Sequence, residues 1–129
     1  MKKILRKKLL NKRKKYYLEI SAKHILNIFE LIKNKYKNIK AIGGYIPINY
    51  EYDSLDLLKF LEMKNFIISL PVITNNFKMD FYKYSFKDPL KINKLGIPEP
   101  YKSNKKIVPD LIFVPLVGYD NNLNRLGYG

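Results

Sequence analysis

Three sets of residues in this chain have types and spacings that could do chemistry. The first is "RLGYG", residues 125 to 129. Arg125 presents five donors in a fixed fork that matches phosphate or carboxylate. Gly127 and Gly129 let backbone N–H groups approach an anion with no side chain in the way. Alone, an arginine and two glycines after a strand are more often an ordinary turn. The second set is Lys2 and Arg6, four residues apart and so on one helical face, with Lys3 beside them. A solvated basic face is the simpler reading. The functional one is a cation pair that meets a polyphosphate, where low local dielectric strengthens each contact. The third is Glu51, on a loop with Ile46, Pro47 and Tyr50. A surface glutamate is the default, yet a carboxylate among apolar and aromatic neighbours can accept from adjacent N–H donors of a flat heterocycle while the ring packs on Ile46 or a tyrosine. Glu99, held by two prolines, reads as a rigid turn residue, and His24 as a helix residue with a partly exposed ring.

Composition removes other chemistries. With no cysteine, disulfides, thiolate metal sites and cysteine nucleophiles are excluded, and the single His24 makes neither a His-based metal site nor a triad alone. A magnesium ion held by carboxylate and phosphate stays open. The formal charge of +14 resembles a nucleic-acid footprint until it is located. Residues 1 to 15 hold nine Lys or Arg and no acid, which leaves +5 on the rest. No run approaches the roughly 18 apolar residues of a membrane span, and the start lacks the apolar region of a signal peptide. An acid-free start also mimics an organelle transit peptide, but lysine dominates here rather than arginine and serine. The expectation is a cytoplasmic protein without a membrane partner.

These residues need elements to position them. Ile4, Leu5, Leu9 and Leu10 mark a first helix, and Ile25, Ile28, Phe29, Ile32 and Tyr36 an amphipathic one from near Ser21; the two are separate, or one helix broken near 16 to 20. "IKAIGGYIP" (39 to 47) reads as a strand entering the loop that bears Glu51. Asp53 then caps a helix with Leu55, Leu58 and Leu61 on one face, ending near Asn65, and "FIISLPVI" (66 to 73) follows as a second strand. Strand, helix, strand at this spacing predicts a βαβ unit with parallel strands. "MDFYKYSF" (79 to 86) alternates as a partly exposed strand. "LGIPEP" (95 to 100) reads as irregular because of its prolines, and "PDLIFVPLVGYD" (109 to 120) as a central buried parallel strand. The expectation is one α/β domain over residues 1 to 129: a Rossmann-like open sheet, mostly parallel, flanked by helices on both faces.

The order of these segments carries more than any one of them. "KKILRKKLL", "YIPINYEYDSLDLLKFL", "SLPVI" with "MDFY" behind it, "LGIPEP", and "PDLIFVPLVGYDNNLNRLGYG" together resemble the 5-formyltetrahydrofolate cyclo-ligase (methenyltetrahydrofolate synthetase) family. The last segment is the most specific. The resemblance implies an ATP- and Mg2+-dependent closure of 5-formyltetrahydrofolate to 5,10-methenyltetrahydrofolate: ATP phosphorylates the formyl oxygen, N10 attacks the activated carbon, and phosphate leaves. It implies ATP contacts at Lys2, with Lys3 as the one-residue alternative, at Arg6, and at Arg125, Leu126, Gly127, Tyr128 and Gly129. It implies folate contacts at Ile46 and Glu51. In the family the last loop continues through further glycines to a Tyr-Tyr-Asp, whose Asp contributes to the magnesium site, and then through a helix and strands. The resemblance therefore implies about two thirds of a typical member, an α/β fold incomplete at its C-terminus, no metal ligand within the chain, and either a complementary C-terminal fragment as partner or an inactive product of an interrupted gene. A small basic nucleic-acid-binding protein is the other reading, opposed by the lack of a stacking motif among the tyrosines.

Overall fold

The computed structural model describes residues 1–127. Helix α1 (Lys2–Lys15) starts without a side-chain cap and ends in four basic residues, which suit the negative end of a helix dipole; none of its residues is buried. Helix α2 (Ala22–Lys35) is separate from it. Ser21 caps α2 by accepting from the His24 N–H at 3.2 Å. Its Ile32 is buried, with Ile25, Ile28 and Phe29 against the same core. That is the helical spacing seen in the sequence.

Strand β1 (Ala41–Gly43) is followed by helix α3 (Leu55–Met63) and strand β2 (Ile67–Ile73). β1 and β2 pair in parallel, with Ile42 opposite Ile68, so the βαβ expectation holds. The cap of α3 is Ser54, one residue later than expected. Asp53 still contributes, because its Oδ1 accepts from the Leu55 N–H at 3.0 Å. Strands β3 (Met79–Lys83), β4 (Leu90–Ile92), β5 (Pro98–Pro100), β6 (Lys106–Ile107), β7 (Leu111–Ile112), β8 (Gly118–Tyr119) and β9 (Arg125–Leu126) follow.

The main sheet runs β6-β3-β2-β1-β7. Its β2, β1 and β7 are parallel, and β3 and β6 join antiparallel. The fold is thus α/β, a central sheet flanked by helices. Ile42, Ile68 and Leu70 from the strands meet Leu57, Leu58 and Leu61 of α3 and Ile32 of α2 in the core. Burying such side chains gives about 1.5 to 3 kcal/mol each. Just after β1, Gly44 permits the closest contact. A Cβ there would lie 2.4 Å from a Leu58 methyl.

Two expectations are corrected. The apolar segment at 109 to 120 is not a central strand. Of it, only Leu111 and Ile112 join the main sheet, at its edge beside β1, and Ile112 is 46% exposed. Pro109 and Pro115 limit the ladder, and Asp110 takes over part of the pairing: its Oδ2 accepts from the Lys40 and Ala41 N–H groups, both at 2.9 Å. "LGIPEP" is not irregular, since Pro98–Pro100 forms a two-stranded sheet with β4. Prolines two apart forfeit donors on one side of a strand only, and an edge strand tolerates that. Glu99 between them is 4% exposed, not a turn residue.

Candidate functional site

Ligands in open α/β sheets gather beyond the carboxyl ends of the parallel strands. Here the chain leaving β1 supplies Tyr45, and the chain leaving β7 supplies Phe113, Val114, Pro115 and Leu116, to one pocket of about 490 Å3. Tyr50, Glu51, Tyr52 and Ser54 come from the loop before α3, and Arg13, Tyr16, Tyr17 and Leu18 from the end of α1. Six of the lining residues are aromatic and five more are aliphatic, which suits a flat, partly apolar ligand.

Glu51 is held there by its own turn. Residues 48 to 51 form a tight turn closed by the Glu51 N–H donating to the Ile48 carbonyl at 2.9 Å. Its two central residues are left-handed, Asn49 at φ 47° and Tyr50 at φ 60°. Asparagine tolerates that conformation; tyrosine does so at a cost of order 1 to 3 kcal/mol. The Glu51 carboxylate folds back, Oε2 accepting from the Ile48 N–H at 2.9 Å. Glu51 is 5% exposed. Burial raises the Glu51 pKa, partly offset by the Ile48 hydrogen bond and the Arg13 charge. Burial likewise raises that of Tyr45, whose hydroxyl donates to the Tyr52 carbonyl at 2.5 Å. The buried Ser54 hydroxyl beside it partly offsets that rise. The pocket lining thus includes the Glu51 carboxylate and the Tyr45 and Ser54 hydroxyls.

Helix α1 joins this pocket to the end of the chain. Arg6 Nε donates to the Gly127 carbonyl at 2.7 Å. Two turns on, about 10 Å along the axis, Arg13 donates to the Asn49 carbonyl at 2.6 Å and the Leu116 carbonyl at 3.2 Å. Between them Leu9 lies over Gly118, where a Cβ would come within 2.7 Å of a Leu9 methyl. Strands β8 and β9 pair antiparallel, and the chain leaving β9 brings Gly127 to the helix. The turn joining them is fixed by Asp120, which accepts from the Asn122 and Asn124 N–H groups at 2.9 Å each and from the Asn124 side chain at 3.1 Å. These bonds, the Asn124 side chain's first, hold the Asp120 pKa below its ordinary value.

The structure therefore brings Arg6 to Gly127 and sets Glu51 in a pocket under the same helix. Lys2 and Lys3 are exposed on the first turn of α1, Arg125 is exposed on β9, and Leu126 is half-buried. Ile46 is half-buried and packs on the core rather than lining the pocket. Tyr128 and Gly129 lie outside the described residues. Sequence reasoning missed Arg13, Tyr17 and Phe113. Arg13 is one of nine basic residues in residues 1 to 15, yet it bonds the Leu116 carbonyl in the pocket wall and the Asn49 carbonyl on the turn before Glu51. His24 is exposed, its Nδ1 3.5 Å from the Tyr52 hydroxyl. A second pocket, about 550 Å3, opens beyond the end of β2 and holds Glu99 and three lysines. There Glu99 Oε2 accepts from the Asn93 side chain at 3.1 Å and the Ile73 N–H at 3.3 Å.

The donor set around Gly127 fits a polyphosphate: guanidinium and ammonium groups on an acid-free helix, beside a glycine whose missing Cβ faces open space. It does not make a metal site. Among the described residues no three of His, Cys, Asp or Glu converge to hold a cation. No helix among them is long and apolar enough to cross a membrane.

The model of the 5-formyltetrahydrofolate cyclo-ligase family matches residues 1–129. The chain is 32% identical over 115 residues to the 5-formyltetrahydrofolate cyclo-ligase of Haemophilus influenzae, covering 84% of this chain and 58% of that protein. It is 41% identical over 76 residues to a probable 5-formyltetrahydrofolate cyclo-ligase of Schizosaccharomyces pombe, covering 54% of this chain and 36% of that one. Among solved structures, the 5,10-methenyltetrahydrofolate synthetase of Aquifex aeolicus superposes with a TM-score of 0.74 at 28% identity, covering 99% of this chain and 67% of the other. That of Mycoplasma pneumoniae, at 22% identity and a TM-score of 0.66, shares the fold over 99% of this chain and 71% of its own.

Proposed function

The chain belongs to the 5-formyltetrahydrofolate cyclo-ligase family, and we propose that its site serves the reaction for which that family is named: ATP- and Mg2+-dependent closure of 5-formyltetrahydrofolate to 5,10-methenyltetrahydrofolate, by a single α/β domain in the cytoplasm. The observation that supports this most directly is that one helix walls both halves of the site. The Arg6 end of α1 meets the glycine loop, and the Arg13 end closes the aromatic pocket around Glu51.

The reaction needs a phosphoryl group from ATP to make the formyl oxygen a leaving group, and from the protein mainly positioning and charge neutralisation. Lys2, Lys3, Arg6 and Arg125 supply cations for the phosphates, and Gly127, with Tyr128 and Gly129 after it, supplies close backbone approach. Leu126 anchors that loop through its carbonyl, which accepts from the Val117 N–H at 2.8 Å. Glu51 accepts from N–H groups of the pterin, and Ile46 backs the loop that carries it. Tyr45, Tyr50 and Phe113 take up the ring system and exclude water from the reacting atoms.

The test is to give the protein 5-formyltetrahydrofolate, ATP and Mg2+ and follow methenyl absorbance, with calorimetry of each ligand alone. Product that requires all three is expected. No product together with no binding of either ligand overturns the reading.

A further inference from the structure

Helix α1 has no buried residue and a strongly polar sequence, so burial does little to hold it on the domain. It is tied down by contacts to the two loops that would hold ligands. Arg6 bonds Gly127, and Leu9 covers Gly118, on the hairpin side. Arg13 bonds the carbonyls of Asn49 and Leu116 on the pocket side. Just beyond Arg13, the Lys14 ammonium sits 5.5 Å from the centre of the Tyr50 ring, and Tyr17 meets that ring edge-on at 6.0 Å. The residues so gripped, Asn49 and Tyr50, are the two left-handed residues of the turn that aims Glu51. A bulky residue keeps that conformation only where its surroundings over-determine it.

From this geometry we infer that Arg13 is a positioning residue: it latches α1 onto the strained turn before Glu51, and docking of α1 couples the two halves of the site. The inference rests on the assignment of those halves to ATP and folate. Docked and undocked α1 are the two states. An anion held by Lys2, Arg6 and the Gly127 loop favours the docked helix, and so does a heterocycle held by Glu51 and Tyr50. Whichever ligand binds first has already ordered the helix, so the second binds more tightly, and the effect is reciprocal. Arg13 carries this coupling because its guanidinium spans two carbonyls, Asn49 on the turn before Glu51 and Leu116 in the pocket wall beyond β7.

The experiment is calorimetry of 5-formyltetrahydrofolate binding, with and without saturating β,γ-imido-ATP and Mg2+, and the reverse titration. In the unmodified protein each ligand should tighten the other by about fivefold or more. In Arg13→Ala both should still bind, but independently, with the folate weaker alone. In Arg13→Lys, which keeps the charge and loses the fork, the coupling should fall to less than half. This variant decides the matter if the alanine variant does not fold. Failure of either ligand to bind the unmodified protein counts against the functional assignment. Binding of both with no mutual effect, or coupling unchanged in the Arg13 variants, overturns the present inference and leaves that assignment standing.

Discussion

A carboxylate taken out of water is costly unless its surroundings compensate, and at Glu51 the compensation is partial: one N–H on Oε2 and the charge of Arg13. The folded protein therefore keeps the Glu51 proton to higher pH than the unfolded chain does. Between the ordinary 4.5 and the raised folded value the native state binds more protons, so this group's contribution to stability falls as pH rises through that window. Glu51→Gln keeps an acceptor for the Ile48 N–H and removes the charge. It should melt at or above the unmodified protein at neutral pH, with the difference closing below pH 4.5, while 5-formyltetrahydrofolate binding weakens about tenfold, as loss of a charge-assisted hydrogen bond implies. A variant that melts lower at neutral pH, or binds folate unchanged, contradicts this. Glu51 could be picked out of the sequence because it stands among Ile46, Pro47 and Tyr50. Arg13 could not, because its partners lie 36 and 103 positions away and are backbone carbonyls, which no residue type advertises.

The elements differ in how much of themselves they declare. Helices α2 and α3 were readable because their apolar residues recur at helical spacing and end up buried together. The segment after Pro109 was misread because an apolar run looks alike whether it lies at a sheet's centre or its edge. Its place was decided by Asp110 and by which strands β1 could pair. β1 was legible as a strand, but the closeness of α3 to it was not, since that depends on glycines whose neighbours are distant in sequence. Gly43 and Gly44 differ here. A Cβ on Gly43 meets the ring edge of half-buried Phe81, which can shift. One on Gly44 meets three atoms of Leu58, a fully buried residue with nowhere to go. Gly44→Ala should lose about 1 to 3 kcal/mol by overpacking. Gly43→Ala should lose clearly less. Urea unfolding of both variants measures the difference, and equal losses would show that α3 yields as easily as Phe81.

At the scale of the whole molecule the charge is the dominant feature, and its location decides what it does. Of the formal +14, nine positive charges lie in residues 1 to 15, and the structure puts them on a helix that runs from the glycine loop to the aromatic pocket. Lys2 and Lys3 are exposed, so salt screens them, with a Debye length of about 10 Å at 0.1 M and about 3 Å at 1 M. Glu51 and its neighbours act through hydrogen bonds and ring contacts at a buried site, which salt affects little. The two ligands should therefore respond differently to ionic strength. From about 0.05 M to about 0.5 M salt, β,γ-imido-ATP should weaken about tenfold and 5-formyltetrahydrofolate bound alone by less than about threefold. The double substitution of Lys2→Ala and Lys3→Ala should flatten the nucleotide's dependence and leave the folate's alone. Calorimetry across a salt series gives all four slopes. Equal slopes for the two ligands would mean that the basic helix attracts anions without distinguishing a phosphate end of the site, and the division of α1 between two ligands would fall.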